Sequence, residues 1–151
     1  GNHDWFFEHA SAEQIQSIIP NEVIYLNDSG ICIEGFNIWG SPIQPTFFNL
    51  AFNRERGKMI DKHWQLIPKN TDILITHSPA FGILDQTIRG EKVGCEMLLE
   101  KINEDRPKLH VFGHIHEGYG MTNEESTTFV NASVLDIQYR FTNPPINLIL
   151  D

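Results

Sequence analysis

Two short apolar runs with a helical stretch between them constrain this chain more than any other feature. Residues 72–76, Asp-Ile-Leu-Ile-Thr, and residues 109–112, Leu-His-Val-Phe, are continuous rather than alternating. Continuous runs of this length are the pattern of strands covered on both faces. Between them, Val93 to Glu104 places Met97, Leu98 and Ile102 at helical spacing. The order strand, helix, strand predicts two parallel neighbours joined by a right-handed crossover.

The flanking segments predict shorter elements. Trp5 to Ile19 reads as a helix that breaks and restarts at a capping box of Ser11 and Gln14, then ends at Pro20. Glu22 to Leu26, Ile31 to Glu34 and Phe36 to Trp39 read as strands, with a turn signal at Asn27-Asp28-Ser29-Gly30 and a turn or bulge at Gly35. Glu55 to Ile67 reads as an amphipathic helix bearing Met59, Ile60, Trp64 and Ile67, stopped by Pro68. Gly118 to Glu125 is a polar turn or hairpin, and Thr127 to Asn131 and Ile146 to Leu150 read as final strands. Gly40 to Asn53 has little periodicity. Its Phe47, Phe48 and Phe52 suit a core, although a long loop with aromatic tips also lines pockets. The expected fold is α/β, with a mixed sheet flanked by helices.

At 151 residues the chain is one domain by prior. Its net charge is −9, with 20 acidic against 11 basic residues. That balance argues against a general nucleic-acid or anionic-membrane binder, which needs a basic surface. A small phosphate ligand stays compatible, because metal ions supply local positive charge. No apolar run is long enough to span a bilayer, and no signal segment stands at the start. Cys32 and Cys95 are isolated, which fits a reducing compartment such as the cytoplasm. The chain opens on Gly1-Asn2-His3-Asp4 rather than Met, so a processed or partial sequence is expected.

In open α/β sheets, ligands gather at the carboxyl ends of the strands. His77 follows the first apolar run, and Gly113-His114-Ile115-His116 follows the second. In extended backbone His114 and His116 share a face, and Gly113 permits a sharp turn before them. Taken singly, each has a plainer reading: a surface loop for the histidine pair, a strand-end hydrogen bond for His77, a turn for Asn2. His9, His63 and His110 carry no motif and read as surface or core residues. Imidazole nitrogen and amide oxygen together suit zinc, iron or manganese.

Gly1-Asn2-His3-Asp4, then His77, then Gly113-His114-Ile115-His116 resemble the later motifs of the calcineurin-like metallophosphoesterases. Phe52-Asn53, Arg56-Gly57, Thr76-His77-Ser78-Pro79, the run from Arg106 to Gly120, Asn131-Ala132-Ser133 and Thr142-Asn143-Pro144-Pro145-Ile146 resemble the metallophosphoesterase-domain branch, whose members are described as phosphodiesterases with cyclic nucleotides among their substrates. The resemblance implies a mixed-sheet β-sandwich flanked by helices. Residues 1–151 would be the C-terminal portion of one such domain, without the D-x-H and G-D motifs that precede G-N-H-D in the family. It implies metal ligation by Asn2, His77 and His114 at one metal and His116 at the other. His3 would be the acid that protonates the leaving oxygen, with Asp4 orienting it.

Two divalent cations (Mn, Fe or Zn) about 3.5–4 Å apart would serve the complete domain, and this chain alone would hold one or none. Imidazole titrates near neutrality, which suits proton donation by His3. Arg56 and Asn53 are assigned to substrate binding, since a guanidinium fork matches phosphate. A solvated helix-start residue is an equally good reading of Arg56. The expected partner is a small phosphoester, with no nucleic acid and no membrane. The competing function is a non-catalytic module that holds one metal or a nucleotide without turnover.

Overall fold

The computed structural model describes residues 1–150. Helix α1 spans Trp5–His9 and α2 spans Ala12–Ile18, split by a capping box in which Ser11 and Gln14 satisfy each other's backbone N–H groups. Strands β1 (Ser29–Ile33) and β2 (Phe36–Ser41) form a hairpin. Its two turn residues, Glu34 and Gly35, both have positive φ, as a tight hairpin turn matching strand twist requires. β3 (Gln44–Pro45) and β4 (Asn53–Arg54) pair as a small parallel ribbon within the loop expected between residues 40 and 53. Helix α3 (Lys58–Trp64), β5 (Ile73–Thr76), α4 (Glu96–Asp105) and β6 (Leu109–Phe112) supply the predicted strand, helix, strand unit and the helix before it. A hairpin of β7 (Gly120–Glu124) and β8 (Thr127–Asn131) follows.

Six of these strands make one mixed sheet in the order β1-β2-β5-β6-β8-β7. The central four, β2, β5, β6 and β8, are parallel, and each edge strand is antiparallel to its neighbour. Register fixes which residues share a face. Trp39, Leu74, His110 and Phe129 stand in one row across four strands. On that face Leu74, Phe112 and Phe129 pack with Ile60 and Trp64 of α3 and Leu98 and Ile102 of α4 in a single core. Trp64, fully buried, donates its indole N–H to Cys95 Sγ at 3.3 Å. The opposite face carries Ile38, Ile73 and Leu109 in one row and Gly40, Ile75, Val111 and Val130 in the next.

Several expectations change. Both middle helices are shorter than their apolar periodicity suggests. α3 begins only after Gly57, whose φ of 79° is not helical, and α4 ends where Arg106 turns left-handed ahead of Pro107. Glu22 to Leu26 joins no ladder. Leu26 instead fills the space over Gly40, where a Cβ would find no room. Residues 146–150 form no strand, and Ile149 is 92% exposed. The expectation of strands covered on both faces holds for β5 on one face only, since Ile75 is 41% exposed. The described residues thus form one six-stranded mixed sheet with helices and a two-stranded ribbon. Cys32 is exposed and Cys95 buried, both free. Among the described residues no helix is long and apolar enough to cross a membrane.

Candidate functional site

Parallel pairing makes β5 and β6 end side by side, so the residues following them leave the sheet at one edge. Gly113 N–H donates to the His77 carbonyl at 3.0 Å and ties the two exits together. The His77 and His114 rings then stand 4.8 Å apart, centre to centre. Asn2 arrives from the start of the chain, with Oδ1 3.1 Å from His77 Nε2. Its own carbonyl accepts from Ala51 N–H at 2.9 Å, which anchors that first turn to the body. Gly1 packs against the His77 ring, and a Cβ there would lie 2.6 Å from Cε1 and force the ring to move.

The turn after β6 is not built as the sequence suggests. Gly113 has no positive φ, whereas His114 does, at 70°. His116 begins a single 3-10 turn, His116–Gly118, so alternation along a strand does not bring the two histidines together. Both nevertheless line the same cavity, with Ile115 buried between them. Gly118 packs so closely on the Leu84 carbonyl that any side chain would collide with it. Asn131, wholly buried at the end of β8, donates to the Ile115 carbonyl at 2.7 Å and the Leu84 carbonyl at 3.2 Å, holding the turn from below. His116 Nδ1 is 2.9 Å from the Asp136 carbonyl oxygen. A carbonyl only accepts, so the proton sits on Nδ1 and the lone pair is left on Nε2, the tautomer of a metal ligand.

Asn2, His3, Asp4, His77, His114 and His116 all border one cavity of about 920 Å³. Burial, with the neighbouring His114 adding to it, pushes the His77 imidazole down to about 3. Burial, followed by His116, pushes His114 down to about 4. Both rings are therefore neutral at physiological pH, as nitrogen ligands must be. The contacts of His77 contain a conflict. Asn2 N–H points at Nε2 from 3.3 Å and Asn2 Oδ1 lies 3.1 Å from the same nitrogen. One proton cannot satisfy both: with it on Nε2 the amide N–H lacks an acceptor, and without it two lone pairs face each other. A cation held by Oδ1 and Nε2 would relieve the facing lone pairs while the Asn2 N–H still lacked an acceptor; the neutral imidazoles and the amide oxygen are donor types that fit a divalent metal. Among the described residues, no group of three or more His, Cys, Asp or Glu side chains is placed to hold one. The fit rests on two histidines and an amide.

Of the other assigned residues, Asp4 borders the cavity with its carboxylate against the Gly1 nitrogen. Arg56 is outside the cavity lining. Its guanidinium donates to the Val93 and Gly94 carbonyls and pairs with Glu96, clamping the loop before α4. Asn53 is outside it too, bonded to Gln44 and to the backbone of Phe47 and Phe48. The three phenylalanines divide: Phe52 is core, whereas Phe47 and Phe48 line the cavity with exposed rings.

Sequence reasoning did not single out Asn131 or Ser133. Ser133 Oγ is buried at the cavity wall with no hydrogen-bond partner among the described residues. The only signal for either was their place in the Asn131-Ala132-Ser133 stretch. His63 is half-buried away from the cavity, 2.6 Å from Asp28 through Nδ1 and accepting from Arg54 Nε at 3.2 Å.

No family model matches the chain. It is 48% identical over 136 residues to the human Metallophosphoesterase domain-containing protein 1, covering 89% of this chain and 41% of that protein. The mouse protein of the same name gives the same figures. A UPF0046 protein of Caenorhabditis elegans is 42% identical over 127 residues, covering 83% of this chain and 32% of the relative. The chain thus spans about two fifths or less of the length of these curated relatives. One crystal structure superposes with a TM-score of 0.54 at 18% identity, covering 75% of this chain and 46% of the other, a likeness of fold alone. With nearly half of its residues shared across most of its length, the chain belongs to the metallophosphoesterase-domain family.

Proposed function

We propose that this chain carries one side of a metal-dependent phosphoesterase site of the calcineurin-like type, and that the reaction is hydrolysis of a phosphodiester, cyclic nucleotides included. The observation behind this reading is the Asn2, His77 and His114 cluster at the ends of adjacent parallel strands, with His116 and His3 on the same cavity. The half-exposed second face of the sheet suits the sandwich architecture that such a domain would have. Asn2, His77 and His114 would hold one divalent cation and His116 would contribute to a second. Bound cations would polarise the phosphate and lower the pKa of the attacking water. His3, exposed at the rim, donates a proton to the departing oxygen. Ser133 offers its unpaired hydroxyl to a phosphate oxygen.

Calorimetric titration with Mn²⁺, paired with hydrolysis of bis(p-nitrophenyl) phosphate, tests the reading. The expected result is weak binding of one equivalent, lost in His77→Ala and in His114→Ala, with little turnover by this chain alone. Tight binding of two equivalents with robust turnover would show that the ligands are misassigned. A second reading, a metal- or nucleotide-binding module without turnover, draws on the finding that no three His, Cys, Asp or Glu side chains among the described residues are grouped to hold a metal. It predicts no hydrolysis even from the longest reading frame that carries this chain.

A further inference from the structure

The cavity has an aromatic rim for which the phosphate chemistry has no use. Phe47, Phe48 and Tyr139 line it, Phe47 beside His114 and Tyr139 beside His116. Phe48 is 79% exposed and Tyr139 71% exposed, so neither ring contributes much to the core. Single exposed apolar residues are ordinary, but apolar groups gathered at a concave site mark a ligand surface.

Both rings are held there against backbone preference. Phe48 has φ of 48° and Tyr139 has φ of 59°, a region uncommon for bulky residues. Such conformations persist only where surrounding contacts impose them, and both sets of contacts are visible. Asn53 donates through Nδ2 to the carbonyls of Phe47 and Phe48, at 3.3 and 2.8 Å, and accepts from Phe47 N–H at 3.2 Å. Asp136 Oδ1 accepts from the backbone N–H groups of Gln138 and Arg140, at 2.8 and 3.0 Å, closing the loop that presents Tyr139. Each wall also touches a histidine of the site. Phe47 meets His114 edge-on at 6.0 Å between ring centres, and Tyr139 meets His116 at 5.3 Å. The Asp136 that shapes the Tyr139 loop is the residue whose carbonyl accepts from His116 Nδ1. The Tyr139 loop is thus hydrogen-bonded to His116, and the Phe47 side meets His114 through its ring.

We infer that Phe48 and Tyr139 are the specificity surface of this site, taking a flat aromatic group whose phosphorus-bearing end lies over the histidines. The ligand class is then the aromatic-substituted phosphoester rather than the small aliphatic one, and Asn53 is a positioning residue that acts through Phe48. This inference rests on the phosphoester reading above.

The test is equilibrium binding of phenylphosphonate, methylphosphonate and inorganic phosphate to the Mn²⁺-loaded chain. The phenyl compound should bind about tenfold tighter than the methyl one, the size that one or two aromatic contacts supply. That ratio should fall towards one in Phe48→Ala combined with Tyr139→Ala, and survive in Tyr139→Phe. Asn53→Ala should lower it with Phe48 intact. Because both rings are exposed, the Phe48 and Tyr139 variants should keep the circular dichroism and melting temperature of the parent. Equal binding of the phenyl and methyl compounds by the parent, or a ratio unmoved by the double variant, overturns the aromatic rim and leaves the phosphoester reading standing. No binding of phosphate or of either phosphonate overturns both.

Discussion

His110 and Thr76 face each other across β5 and β6, with Nε2 2.8 Å from Oγ1, inside the core. Thr76 spends its only hydroxyl proton on the Ser78 carbonyl at 2.7 Å. His110 must then be the donor, from Nε2, and its Nδ1 is left buried without a partner. The two bonds bracket His77 in the chain and hold the turn that presents it. Thr76→Val keeps the shape and the strand preference but strands the His110 N–H and one bond of Ser78. Leaving a buried donor unpaired costs about 1–3 kcal/mol, so urea unfolding should show a loss of that size. Thr76→Ser should recover most of it. A Val variant as stable as the parent would mean that the hydroxyl does not order this turn.

The same histidine predicts a pH dependence. Burial holds His110 down to about 3, against an ordinary value of 6.5. Between those values the unfolded chain binds a proton that the folded chain refuses. Stability is therefore fully present above the unfolded pKa and is lost as pH falls towards the folded one. The slope is about 1.4 kcal/mol per pH unit for one such group. His77 and His114 act in the same direction. His110→Phe should make the acid limb shallower by up to one proton, read from urea midpoints at neutral and mildly acidic pH. An unchanged slope would place the acid sensitivity elsewhere.

His110 also marks where sequence reading runs out. The positions of His77 and His114 were legible, because apolar runs locate strand ends and strand ends locate sites. The His110 and Thr76 bond was not, since it arises from register between two strands and leaves no periodic trace. Asn131, beneath the 3-10 turn, is hidden for the same reason. Glu22 to Leu26 and residues 146–150 have strand-like composition, yet β preference measures fit to a pleated surface and supplies no partner. Phe47, Phe48 and Phe52 are indistinguishable in sequence, and only the two-stranded ribbon decides which one turns inward. Arg56 has the chemistry of a phosphate ligand, but carbonyls and Glu96 already occupy its guanidinium.

His3 carries a kinetic prediction. It lies exposed at the rim and is assigned to proton donation. In the longest reading frame that carries this chain, His3→Ala should lower turnover by about 10²–10⁴-fold, the usual scale of general acid catalysis. Metal content should stay near that of the parent. The loss should shrink with p-nitrophenyl leaving groups, which depart without protonation, and be largest with alkyl ones. Equal losses for both classes would remove His3 from the acid role.

The sheet face away from α3 and α4 carries a prediction about assembly. Strand register puts Ile31, Ile33, Ile38, Ile73, Ile75, Val111 and Met121 on that face. Ile33, Ile75 and Met121 are each two fifths exposed or more. An apolar sheet surface of this kind is rare on a free monomer. The outer strands β1 and β7 also leave backbone groups open to pairing. Residues 1–151 in isolation should therefore self-associate, with sedimentation equilibrium showing a mass that rises with concentration. Ile75→Lys places a charge at the middle of the patch and leaves the helix-covered core untouched, so it should restore the monomer without lowering the melting temperature. A parent chain that stays monomeric across the concentration series would show that the exposed isoleucines are too dispersed to drive contact. Association that persists in Ile75→Lys would point to the β1 or β7 edge instead, where a proline in the outer strand is the discriminating change.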